Sequence, residues 1–353
     1  MLRRVEPRRR ASGGGRGVYG AILTASFLLL SAPAFANVGA APVDFPSYNQ
    51  ALQSYNLGDY ARALGSAKPA ARAGDFDAAM LAGYILREGL AGAPDFDEAV
   101  TFYLMAAQGG NSDAMVALGE MGHYGQGGLT AHDAKIWLTK AAQFGRKDAM
   151  RALAEMNIKG AGITPNASEG KTWLKLAAEQ GDAQSAKRMG DLNIETAPNR
   201  ALKYYKQGAA AGDIEAAYAA AIMYAENLSI KPNEFEAARL MEQAARGGHP
   251  AAMADFGLLV YQGLAGDKSA SSAANWFKKA AMAGDDQGKF FYAFTLAKGD
   301  GVSQNYEEAY FWILQTDKSG IPDYDKDIDT LRTRLEANVS ADILAKARSR
   351  AQK

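Results

Sequence analysis

The chain has 353 residues, is 48% hydrophobic and 22% charged, and sets 39 basic side chains against 39 acidic ones. That balance belongs to a soluble folded protein rather than a disordered one. There is no cysteine, which excludes disulfide staples, zinc–thiolate sites and cysteine nucleophiles.

The N-terminus reads as a targeting segment. Residues 3–16 carry Arg3, Arg4, Arg8, Arg9, Arg10 and Arg16 with one acid, Glu6. An apolar run, VYGAILTASFLLL, follows at 18–30, and Ala34-Phe35-Ala36 closes it in a small-x-small pattern. A basic start, a short apolar core and a small-residue ending describe a secretory signal peptide, with cleavage expected after Ala36. The run is too short to span a bilayer, so no integral membrane segment is expected after cleavage; an uncleaved anchor is the other reading. Removing residues 1–36 takes away six arginines and one glutamate. The remainder has 33 basic and 38 acidic residues, a net charge of −5. That argues against nucleic acid or an anionic membrane as the main partner. A short linker, 37–44, precedes the folded part.

From there the chain repeats itself. AARAGD at 70–75, AAQGGN at 106–111, AAQFGR at 141–146, AAEQGD at 177–182, GAAAGD at 208–213, AARGGH at 244–249 and AAMAGD at 280–285 are variants of one AAxxG motif. Its glycines are Gly74, Gly110, Gly145, Gly181, Gly212, Gly248 and Gly284, with a degenerate Gly320. They are spaced by 36, 35, 36, 31, 36, 36 and 36 residues. A period of this size means stacked supersecondary units. Nine residues past each glycine lies a small residue (Gly83, Gly119, Ala154, Gly190, Ala221, Gly257, Ala293). Fifteen past comes Gly89, Gly125, Gly160, Gly263 or Gly299, with Asn227 in that place once. Gly or Asn there suits a left-handed helix end. Each unit is therefore helix A of 12–14 residues, a Gly/Pro/Asn/Asp loop, and helix B running into the next AAxxG.

Helix B carries a second marker, four residues before the first alanine: Ser66, Phe102, Trp137, Trp173, Tyr205, Leu240, Trp276 and Trp312. The i, i+4 spacing puts this row on the alanine face, where core packing is expected rather than a ligand groove. The AAxxG motif itself reads as a joint: the alanines admit the next helix A, and the glycine ends helix B. One unit, 182–212, is five residues short, and its sequence DLNIETAPNRALKYY lacks the glycine loop. A tighter A–B connection is expected there, and the irregular unit is the candidate for specialisation. Residues 321–353 lack the motif and carry two expected helices, near 324–337 and 341–352. Ser340 is the expected cap of the second, and Lys346, Arg348 and Arg350 sit near its C-terminal dipole end.

LAKGDGVSQNYEEAYFWI (296–313), MVALGEMGHYGQG (115–127), WLKLAAEQGD (173–182) and WFKKAAMAGD (276–285) resemble the Sel1-like repeat family, relatives of the tetratricopeptide repeat. YNLGDYARAL (55–64) looks more like a tetratricopeptide hairpin. The resemblance covers residues 45–320 and leaves 321–353 as a C-terminal helical cap. It implies an all-α fold, a right-handed superhelical solenoid of about eight antiparallel helical hairpins. It also implies adaptor work on envelope proteins by a periplasmic or secreted bacterial member, with a peptidoglycan- or polysaccharide-binding module as the alternative.

The chain offers little chemistry of its own. His123, His132 and His249 are the only histidines, with no i, i+4 pair and no HExxH, so no metal site is expected. His249 stands at a helix start that is usually Asp, which points to a local structural role. Ser168-Glu169-Gly170-Lys171 matches S-x-x-K, but the SDN and KTG companions are missing and the motif lies at a loop-to-helix boundary. There is no Walker loop, GxSxG or dinucleotide fingerprint. The sequons at Asn166, Asn227 and Asn338 matter only in a eukaryotic secretory pathway. No catalytic, cofactor-binding or metal-binding residue is assigned, no cofactor is implied, and the chain is not expected to be an enzyme.

Overall fold

The computed structural model describes residues 48–225, 230–317 and 322–352. The expected signal peptide at 1–36, the expected linker at 37–44, Asn227 and Gly320 lie outside the described residues. Those described are all-α, without strands. They fall into two compact units, 48–137 and 138–352, divided within one helix.

The unit 48–137 contains α1 (Tyr48–Asn56), α2 (Tyr60–Arg72), α3 (Phe76–Glu88), α4 (Phe96–Gln108), α5 (Ser112–His123) and the start of α6 (Ala131–Gln143). Odd-numbered helices are helix A of a hairpin and even-numbered ones are helix B. The core runs through Ile85, Phe102, Tyr103, Leu118 and Met121, all at most 1% exposed.

The unit 138–352 continues with α7 (Lys147–Lys159), α8 (Ala167–Glu179), α9 (Ala183–Asp191), α10 (Pro198–Ala210) and α11 (Ile214–Ala225). There follow α12 (Glu234–Arg246), α13 (Pro250–Gln262), α14 (Ala270–Met282), α15 (Asp286–Lys298) and α16 (Tyr306–Leu314). Two further helices, α17 (Pro322–Asn338) and α18 (Ala341–Ala351), end the chain. Their Tyr324, Ile328, Leu335, Leu344 and Ala347 join the same buried cluster as Phe277, Phe291, Tyr310 and Ile313.

The AAxxG joint has one geometry throughout. Its glycine is left-handed, from φ 81° at Gly145 to 101° at Gly248, a conformation that costs a side chain dearly. The backbone N–H after that glycine donates to the carbonyl at the first motif position, five residues back. The pairs are Asp75 to Ala70, Asn111 to Ala106, Arg146 to Ala141, Asp182 to Ala177, Asp213 to Gly208, His249 to Ala244 and Asp285 to Ala280, at 2.9–3.2 Å. This six-to-one bond closes the orphan carbonyls of helix B. The same residue then starts helix A. Asp75, Asn111, Asp182, His249 and Asp285 each accept a backbone N–H of the first turn through the side chain. Arg146 does not, and turns instead to Asp148 at 2.7 Å. One motif therefore finishes a helix and begins the next.

The helix-B marker needs correction. Counted from the joint, Tyr204 holds the tryptophan position and Tyr205 the one after it. The row is only half-buried at Trp137, Trp173, Tyr204, Trp276 and Trp312, although Phe102 and Leu240 are buried. The next residue along is the core member in every case: Tyr103, Leu138, Leu174, Tyr205, Met241, Phe277 and Ile313. That residue is the one laid against the small residue of helix A. A Cβ built on Gly83, Gly190 or Gly257 would come within 2.7, 2.4 or 2.8 Å of the rings of Tyr103, Tyr205 and Phe277. The tryptophans border this contact, Trp276 edge-on to Phe256 at 5.4 Å and Trp312 to Tyr292 at 6.0 Å. Indoles are too large to be swallowed where two backbones approach this closely.

The short unit also differs from expectation. Its A–B connection, 192–197, is one residue shorter than the seven-residue loop 160–166 of the preceding unit. The rest of the deletion comes out of the helix, because α9 has 9 residues where α7 has 13. Asp191 at its end takes the Tyr205 hydroxyl at 2.9 Å and the Lys187 ammonium at 3.0 Å.

At the C-terminus, Ser340 precedes α18 but its side chain makes no capping bond. Arg348 and Arg350 reach neighbouring helices rather than serving the dipole alone. Arg348 donates to the Tyr310 hydroxyl (2.9 Å) and to Glu336 (3.3 Å). Arg350 pairs with Glu307 and Glu308 of α16.

Candidate interaction surface

Within each unit, polar bonds join neighbouring A helices. In the unit 48–137, Arg87 of α3 donates to Glu120 of α5 at 2.9 Å. In the unit 138–352, Arg151 of α7 reaches Asp182 at 2.7 Å, and Arg188 of α9 reaches Glu155 of α7 at 3.0 Å. Further along, the Tyr218 hydroxyl of α11 donates to Asp255 of α13 at 3.1 Å. The Tyr261 hydroxyl of α13 donates to Asp300, just past α15, at 2.7 Å. Within this unit the face changes from charged on α7 and α9 to aromatic on α11, α13 and α15, where Tyr218, Tyr224, Tyr261 and Phe294 are half-buried.

The aromatic end opens into a cleft of about 760 Å³ between α13, α15, the start of α16 and α17. Phe294, Ala297, Leu331 and Leu335 form its apolar lining, and Lys298 and Arg334 are the charged residues on it. At its rim the Asp300 carboxylate also accepts from Lys298 at 3.0 Å. Those two hydrogen bonds, Tyr261 first and Lys298 second, hold Asp300 below the usual carboxylate range. The same bonds raise the Tyr261 phenol and the Lys298 ammonium. The Lys268 ammonium stands 5.4 Å from the Tyr261 ring centroid.

The residues singled out in the sequence have structural places. His249 is the start of α13: its Nδ1 accepts the Ala252 N–H at 3.1 Å, its ring stacks on Tyr218 at 4.2 Å, and Nε2 is 3.4 Å from Glu215. It is 4% exposed. His123 and His132 are exposed, and His123 lies edge-on to Tyr124. Ser168 and Lys171 are exposed in the opening turns of α8, where Asn166 Oδ1 caps the helix by accepting the Glu169 N–H. Asn338 donates its amide back to the Arg334 carbonyl. Among the described residues, no group of three or more His, Asp or Glu side chains is placed to hold a metal. No helix among them is long and apolar enough to cross a membrane. The cleft went unseen in the sequence because it unites residues from the last two repeats with α17, which has no repeat pattern.

The Sel1 repeat pattern matches seven stretches of the chain: 77–111, 112–143, 147–182, 186–213, 214–249, 250–285 and 287–315. The chain belongs to the Sel1 repeat family. Sel1 repeats generally serve protein–protein interaction, and the scaffold is typically non-catalytic. The first hairpin, α1–α2, falls outside the matched stretches, in keeping with its tetratricopeptide-like sequence. Among solved structures, a Sel1 repeat protein from Oxalobacter formigenes is 21% identical, with a TM-score of 0.61. The match covers 80% of this chain and 86% of that one. A protective antigen of uropathogenic Escherichia coli with the same repeat fold is 22% identical, covering 86% of this chain and 84% of its own, at a TM-score of 0.40. No curated protein matches the chain. The Sel1 repeat protein described here is thus an all-α helical solenoid.

Proposed function

We propose that this Sel1 repeat protein is a periplasmic or secreted interaction scaffold that binds an envelope protein through its A-helix face. In this reading residues 1–36 are a cleaved signal peptide, 37–44 a linker, 45–320 the repeat solenoid and 321–353 its cap. The observation that carries it is the half-buried aromatic stripe on α11, α13 and α15. Aromatic side chains held in place by packing, with part of each ring left open, are the anchors that protein interfaces favour. The polar bonds between adjacent A helices fix those anchors before a partner arrives, which lowers the ordering cost of binding. The net charge of −5 on the mature chain weighs against nucleic acid as the partner.

The test is photo-crosslinking in the producing cell with p-benzoylphenylalanine. Probes at Ala219 and Gln262 sit on the A-helix face, and probes at Lys175 and Lys203 sit on exposed B-helix positions. A discrete adduct with one envelope protein is expected from the first pair and not from the second. Adducts from the B-helix positions alone would refute the reading.

A further inference from the structure

We propose that His249 is a pH-sensitive latch on the start of α13: the neutral imidazole caps the helix, and its protonation releases the first turn beside Tyr218 of the A-helix face. The latch is a property of the joint between α12 and α13 and goes beyond the scaffold reading above.

The cap requires a neutral ring. Imidazole Nδ1 accepts the Ala252 N–H at 3.1 Å. An accepting nitrogen carries no proton, so the single ring proton is on Nε2, which faces Glu215 at 3.4 Å. In an imidazolium both nitrogens carry protons. Nδ1–H would then meet the Ala252 N–H donor to donor, so the cap and the charge exclude each other. Pro250 has no N–H to offer, and the Met253 N–H bonds to the His249 carbonyl at 3.0 Å. Ala252 therefore carries the first-turn donor that depends on the ring. Ala252 is fully buried, so losing this acceptor leaves its N–H without ready replacement by water, and the turn has to open.

The charged ring has partners too, both on α11. Glu215 supplies a carboxylate, and the Tyr218 ring stacks on the imidazole at 4.2 Å, with its hydroxyl tied to Asp255 of α13 at 3.1 Å. The other helices packed on α13 spend their charges elsewhere: α12 turns Arg246 to Glu242, α14 sets Lys279 over Trp276, and α15 pairs Lys289 with Asp286. Each form of the ring thus has its own partner, the Ala252 N–H for the neutral one and Glu215 for the charged one, which is what a two-state switch needs. The release stays local. The His249 N–H still donates to the Ala244 carbonyl at 3.0 Å and keeps the end of α12 closed, while Pro250 holds a φ suited to the helix. The joints at Asp75, Asn111, Asp182 and Asp285 cap with carboxylate or amide oxygens, groups that do not change charge between about pH 5 and about pH 8.

The test is amide hydrogen exchange on the full mature chain, read by NMR at about pH 8 and about pH 5, with each rate divided by the intrinsic rate at that pH. Protection at Ala252 is expected to fall about fivefold on acidification, the worth of one helix cap. Gly288, at the same place in the next unit and capped by Asp285 at 2.7 Å, is expected to hold. In His249→Asn the amide oxygen caps without titrating, and the fall at Ala252 is expected to vanish. His249→Asp, which restores the residue found at 75, 182, 213 and 285, gives the same readout, and circular dichroism checks that each variant is folded. Equal protection of Ala252 at both pH values overturns the latch, as does an equal fall at Gly288 or in both His249 variants. The scaffold reading is decided separately. Failed crosslinking from Ala219 removes the scaffold face and leaves the exchange result standing, and an Ala252 amide indifferent to pH removes the latch and keeps the scaffold.

Discussion

Gly257 and Phe277 show how much of this fold is set by single atoms. A Cβ on Gly257 would come 2.8 Å from the Phe277 ring, a buried group with no room to move. Gly257→Ala should therefore cost about 1–3 kcal/mol, measured by urea unfolding, whereas Ala221→Gly at the equivalent place should cost only about 1 kcal/mol. A similar contact explains why only some joints carry two glycines. Gly109 of AAQGG lies beneath the Phe76 ring, and Gly247 of AARGG beneath Ile214. In both cases a bulky residue opens the preceding helix A. Gly109→Ala alone should be destabilising, and Phe76→Ala in the same chain should relieve it. A double-mutant cycle should return a coupling of roughly 0.5–3 kcal/mol; strict additivity would show that the ring does not rest on Gly109. At His249 the Nδ1 cap can be mimicked by an amide oxygen. His249→Asn should retain about 1 kcal/mol that His249→Ala loses, read as a difference in thermal stability.

At the scale of elements, the shortened α9 is the informative departure. Four residues fewer make just over one turn less, so the end of α9 falls where Asp191 meets Tyr205. The Tyr205 phenol is pushed well up from its ordinary value, first by burial and then by the Asp191 carboxylate. It therefore stays a hydrogen-bond donor throughout the working pH range. Tyr205→Phe should cost about 1 kcal/mol by removing that bond while keeping the ring against Gly190. A loss of several kcal/mol would mean that the hydroxyl also carries a wider network. The C-terminal pair behaves as part of the core rather than as a loose cover. Deleting residues 322–353 uncovers the cluster that holds Tyr310 and Ile313 and forfeits the burial of Tyr324, Ile328, Leu335 and Leu344. At roughly 1.5–3 kcal/mol for each of those four side chains, the truncated chain should melt markedly lower. An unchanged melting temperature would make α17 and α18 dispensable.

For the molecule as a whole, contacts run chiefly between neighbouring helices, so stability is a sum of repeat and interface contributions. Its unfolding need not be a single two-state transition. Limited proteolysis should cut first before about residue 45 or in the A–B loops such as 160–166 and 263–269. Early cleavage inside a B helix such as α8 or α14 would contradict the assigned register. The helix boundaries were largely legible because the signals that set them are local. The left-handed glycine, the Asp or Asn after it and the loop glycine fifteen residues on each act within one turn. Which face of helix B is buried was misread by one residue. A single i, i+4 pair fits any stripe containing it, and only the partner helix shows which edge is covered. The shortening of the fourth step was visible as a count, but its assignment to α9 rather than to the loop depended on where the neighbouring helices let it end.

The sequence by itself determined the hairpin unit, its period of about 36 residues, the joints and the family. All of these rest on short-range backbone conformation repeated in register. Only the tertiary structure decided that the tryptophans border the core instead of filling it, that His249 and Tyr218 stack, and that α17 closes an apolar-lined cleft with α13 and α15. Those arrangements join residues tens of positions apart, and no local signal in the chain specifies which such residues will meet.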